Sequence, residues 1–99
     1  MSSWSVLSNH GLALVCIARE PRMRLREIAD CIGVTERTAH KIVDDLVEAG
    51  YVRRFREGNR NRYEIVHDVP IAHPLLEDHW LGELLVVLAT ESLRQPRAA

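Results

Sequence analysis

Polar side chains able to reach base edges and phosphates recur at Glu36, Arg37, Thr38, His40, Lys41 and Asp44, outside the apolar positions of one short helical stretch. Arg37 and Lys41 suit guanine O6 and N7, while Thr35 and the first backbone N–H groups of that stretch suit a phosphate. A second set follows at once. Between Tyr51 and Arg62 there are five arginines (Arg53, Arg54, Arg56, Arg60, Arg62) against Glu57 alone, a local sum of +4. Arg60, with Arg56 or Arg62 beside it, fits a narrow minor groove or its flanking phosphates. Glu36, Asp44 and Asp45 would repel phosphates, so Asp44 is expected to pair with Lys41 or His40 or to fix an arginine.

These groups need a scaffold, and the apolar residues between Leu25 and Leu46 supply one. Leu25, Ile28, Ala29, Ile32 and Val34 form one short helical face, and Ala39, Ile42, Val43 and Leu46 form another. Gly33 can take the positive φ of a sharp turn, Thr35 can cap the second helix, and Ala29 is small enough to let the helices cross closely. That is the outline of a helix-turn-helix. Gly50 stops the second helix; Tyr51–Arg56 and Arg62–Val66 then read as strands around the turn residues Glu57–Asn61.

Other chemistries find less support. No nucleophile motif, phosphate-binding glycine loop or HExxH is present, so an enzyme is not expected. Cys16, Cys31, His67, His73, Asp78 and His79 are metal-ligand types, but only Asp78 and His79 adjoin, so neither metal nor cofactor is expected and the cysteines read as reduced core thiols of a cytoplasmic protein. The apolar runs Leu12–Ala18 and Leu84–Ala89 are too short to span a membrane. A net charge of −1 argues against indiscriminate nucleic-acid affinity, yet the six acids and no Lys or Arg between Tyr63 and Ser92 leave the basic charge concentrated in the middle of the chain.

Taken in order, the chain divides into a flexible N-terminus (1–7), a domain (8–66), a linker with two prolines (67–74) and a C-terminal helix (75–93). Ser8 or Asn9 caps a first helix that is apolar nearly all round and ends before Pro21; Arg22–Leu25 lead into the second as a short extended segment. In the C-terminal helix Trp80, Leu81, Leu84, Leu85 and Leu88 form a stripe too wide for so small a domain to cover, so the helix is expected to dock partly on the domain's first helix and partly on a second copy as a dimer interface. The segment LREIADCIGVTERTAHKIVDDLVEAGYVRR followed by REGNRNRYEI resembles the bacterial MarR and ArsR type of winged-helix transcriptional regulators. The resemblance covers residues 8 to 66, and the chain's length is nearer the shorter ArsR arrangement.

The expected fold is therefore mainly α with a small β-hairpin (α+β), a winged helix-turn-helix with an added C-terminal dimerisation helix. The expected function is sequence-specific binding of double-stranded DNA as a homodimeric transcriptional regulator, a repressor by resemblance. Thr35, Arg37, Thr38, His40, Lys41, Arg56, Arg60 and Arg62 would make the contacts. The alternative is a winged helix that binds another protein and no specific DNA. A pocket for an unknown small-molecule effector between the domain and the last helix stays open, with no ligand named.

Overall fold

Ser8 starts the first helix by accepting the Gly11 N–H on its side-chain oxygen at 3.2 Å. The computed structural model describes residues 4–89, in the order α1 (Asn9–Arg19), α2 (Leu25–Ile32), α3 (Glu36–Glu48), β1 (Val52–Glu57), β2 (Arg60–Ile65) and α4 (Leu81–Ala89). Because α1 is apolar nearly all round, it can be wrapped: α2, α3, β2 and α4 all touch it, and Ala13, Leu14, Cys16 and Ile17 are buried. The helix ends at Glu20, and the chain turns at Pro21. Arg24 is extended, its N–H held by the Glu27 carboxylate at 2.8 Å, and α2 follows directly at Leu25, so the extended lead-in is shorter than expected.

The helix-turn-helix forms as its residues dictate. Gly33 sits at φ 80°, and both its N–H and that of Val34 bond to the Ala29 carbonyl, closing α2 sharply. Ala29 and Ala39 are buried, so no bulky group keeps the two helices apart. The Thr35 side chain accepts the Thr38 N–H and caps α3, which buries Ala39, Ile42, Val43 and Leu46. The two strands pair antiparallel from Val52↔Ile65 to Glu57↔Arg60. Val52, Tyr63 and Ile65 plug the hairpin's root into the same core, and the Tyr63 N–H reaches the Pro21 carbonyl at 2.9 Å.

Two expectations change beyond the hairpin. The 67–74 stretch is not a spacer but the first half of an excursion that returns on itself. His67 O accepts from Gly82 N–H, Val69 O from Leu81 N–H, Ile71 N–H donates to His79 O, and Pro70 bridges to Trp80. The helix expected from Leu75 begins at Leu81 instead. Upstream, the Leu76 and His79 donors go to carbonyls three residues back, as in successive turns, and Glu83 caps the Trp80 N–H at 2.6 Å. Gly82 lies so close to His67 that a Cβ there would stand 2.9 Å from the His67 Cβ. Trp4 and Val6 are exposed and Leu7 half-buried, while residues 1–3 and 90–93 of the expected terminal segments lie outside the described residues.

Candidate nucleic-acid interface

α3 holds its polar row outward because its apolar row is fixed inward: Glu36, Arg37, Thr38, His40 and Lys41 are all exposed. Arg37 has no ion-pair partner among the described residues. Lys41 Nζ meets Asp45 Oδ1 at 2.9 Å, which pushes the lysine's pKa up, the hydrogen bond being the main cause. Asp45 also takes His10 Nε2 of α1 at 2.8 Å, and those two hydrogen bonds, the histidine's first, hold its carboxyl below the ordinary 3.8. Asp44 does what the sequence suggested for it, fixing an arginine. It accepts from Arg54 at 3.1 Å, tying the hairpin to α3, and lies 3.7 Å from His40, an ion pair only when the imidazole is protonated.

The Thr35 hydroxyl, expected to meet a phosphate, caps α3 in this structure. It is committed to Thr38, accepting the amide at 3.1 Å and meeting the Thr38 hydroxyl at 3.0 Å, so the free donors at this end of α3 are backbone N–H groups rather than the threonine side chain.

Strand alternation divides the wing into two faces of different charge balance. Arg54, Arg56 and Asn61 share a face with the buried Val52, Tyr63 and Ile65, while Arg53, Phe55, Glu57, Arg60, Arg62 and Glu64 share the other. On that second face Arg62 is spent. Its Nε meets Glu57 at 2.8 Å, its other end reaches Glu64 at 3.6 Å, and its guanidinium lies over the Phe55 ring at 4.6 Å. Arg22 joins the same Glu57 at 3.0 Å, and the two guanidiniums, Arg62 foremost, hold the Glu57 carboxyl below its usual range. Arg62, expected beside Arg60 on DNA, has its charge ion-paired within its own strands in this structure.

Arg56 and Arg60 keep theirs. Arg56 donates to the Gly58 carbonyl and to Asn61 Oδ1, and Arg60 donates to the Arg22 carbonyl, contacts that orient a guanidinium without neutralising it. They line a cleft of about 280 Å³ between the wing tip and the helix-turn-helix, together with Arg24, Arg26 and Glu36. Four arginines and one glutamate thus line it. Arg24 and Arg26 were missed in the sequence; their alternation with Arg22 was visible, but only the folding of the wing tip over the start of α2 gives them Arg56 and Arg60 as neighbours.

The expected dimer stripe is also redistributed. Leu81 and Leu85 are 1% and 3% exposed, packed inward against α1, and are corrected out of the outer face. Trp80 and Leu84 are exposed as expected, Leu88 is half-buried, and Val86 and Val87 join the outer face. Among the described residues no three metal-ligating side chains cluster, and no helix is long and apolar enough to cross a membrane.

The sequence model of the MarR family matches residues 5–61, from before α1 through the wing's turn. Among solved structures, T. potens IscR superposes with a TM-score of 0.59 at 16% sequence identity, covering 95% of this chain and 94% of that one, a likeness of fold. No curated protein matches the chain.

Proposed function

The chain belongs to the MarR family of winged helix-turn-helix, DNA-binding transcription regulators, and from that premise we propose that it acts in the cytoplasm as a homodimeric repressor that reads a two-fold symmetric duplex site. The observation that carries this reading is the cleft of about 280 Å³ between the wing tip and the helix-turn-helix, lined by Arg24, Arg26, Arg56 and Arg60 with Glu36. A backbone seated there lets the N-terminal half of α3 enter the major groove. Arg37 then donates to guanine, with Thr38 and His40 beside it.

Lys41 joins by exchanging Asp45 for DNA, a small cost because its side chain is 75% exposed and its ion pair is bathed in solvent. The wing, its tip oriented by Arg56 and Arg60, takes the adjacent minor groove and its phosphates. Trp80, Leu84, Val86, Val87 and Leu88 form the contact with the second copy, which sets the two α3 helices about one duplex turn apart.

Selection of bound fragments from random duplex DNA tests the whole reading. The expected product is a palindrome whose binding weakens steeply with salt. Recovery of no motif, with no duplex retained at low salt, would overturn it and favour a protein-binding winged helix.

A further inference from the structure

The chain has two cysteines, fifteen residues apart and on different helices, with no spacing motif to link them. Folding nevertheless sets Cys16 Sγ 3.1 Å from Cys31 Sγ, both as free thiols. They are unlike. Cys16 projects from α1 into the core at 7% exposure, while Cys31, near the end of α2, is exposed. A disulfide bond is about 2.05 Å long, so closing the gap asks for a shift of roughly 1 Å, which the exposed end of α2 at Cys31 can supply.

We propose that Cys16 and Cys31 form a peroxide-reactive dithiol site, whose intramolecular disulfide fastens α1 to α2 and so clamps the scaffold on which α3 rests. Exposure makes Cys31 the thiol that meets the oxidant. The Cys16 S–H points at the Cys31 sulfur. Burial first, and then that hydrogen bond, pushes the Cys16 thiol up to about 12, so it stays protonated and unreactive until its neighbour has changed.

The chemistry is a two-electron oxidation in two steps. The Cys31 thiolate attacks one oxygen of hydrogen peroxide; the O–O bond breaks, Cys31 becomes a sulfenic acid, and hydroxide leaves to take up the thiol's proton as water. Cys16 then attacks the Cys31 sulfur. The S–O bond breaks, the S–S bond forms, and the departing hydroxide leaves as a second water with the Cys16 proton. Both sulfurs are oxidised and one peroxide is reduced to two waters. Nothing in this sequence depends on what α3 binds.

The test treats the reduced full chain with hydrogen peroxide. Thiol titration in denaturant should fall from two to zero, the mass should drop by two hydrogens, and the peptides carrying Cys16 and Cys31 should be joined. The product should run as a single chain without reductant, melt higher than the reduced form, and revert with dithiothreitol. Cys16→Ala should stop at a Cys31 sulfenic acid that dimedone captures, and Cys31→Ala should keep its Cys16 thiol, with circular dichroism reporting that each variant is folded. Survival of both thiols in the wild type, a bond between two chains, or over-oxidised Cys31 beside an intact Cys16 thiol would each overturn the proposal.

Discussion

The third and fourth helices bury one side in the same core and turn opposite chemistries outward. α3 seats Ala39, Ile42, Val43 and Leu46 and exposes Glu36, Arg37, Thr38, His40 and Lys41; α4 seats Leu81 and Leu85 and exposes Leu84, Val86 and Val87. A solvated charge costs nothing while it waits. Exposed hydrocarbon, at about 25 cal/mol per Å² of area left in water, is a standing penalty that a partner relieves. On the proposed reading, one helix meets a polyanion reversibly and the other is covered by a second copy.

That contrast can be broken at its apolar end most forcefully. Leu84→Lys combined with Val87→Lys should convert the dimer to a monomer in sedimentation, and weaken binding to a palindrome by about a hundredfold or more while sparing binding to a half-site. A wild type that sediments as a monomer would remove the symmetric reading, though not the family. On the inward side of the same helix, Leu85→Ala should cost about 2–5 kcal/mol of unfolding free energy in a urea titration, whereas Val87→Lys alone should leave that value within about 0.5 kcal/mol.

The polar helix is probed more gently. Arg37→Ala should relax preference at one base pair by about 1–3 kcal/mol in competition binding. Arg56→Ala should lower affinity for every sequence and reduce the salt slope by about one phosphate contact, while Arg62→Ala should leave the slope unchanged because Glu57 and Glu64 already meet its charge.

The smallest effect expected is that of the α1–α3 tether. The folded pKa of Asp45 lies below its ordinary 3.8, so its contribution is complete above that value and is lost as pH falls through the depressed one. Asp45→Asn should therefore flatten the acid limb of a stability-versus-pH curve and leave its neutral plateau little changed.

How far the sequence can be read follows from the same physics. The helix-turn-helix was legible because Ala29, Gly33, Thr35 and Ala39 each have a distinct local job, and the wing because turn residues and arginines bracket it. α4 docks on α1 as expected, but the sequence does not say that Leu81 and Leu85 face inward, since LLVVLA is apolar on every side and periodicity in such a run has no preferred direction. Its start was placed too early because leucine at 75 and 76 extended the stripe into a region where turns consume the backbone donors. The arginine cleft and the adjoining thiols were invisible for another reason. Each unites residues from separate elements, and no local pattern reports how far apart those elements end up.

The excursion between His67 and Gly82 leaves and re-enters the body at neighbouring points, with Tyr51 Oη holding the Ala72 N–H at 2.7 Å partway round. Its two feet are stapled together, so its length is decoupled from the placement of the helix it leads to. Residues can be added or removed around 74–78 for little more than the entropy of a longer or shorter loop. Gly82 has no such freedom: a single carbon added there would press on the His67 side chain and carbonyl, so that the foot of the excursion or the start of the last helix has to shift.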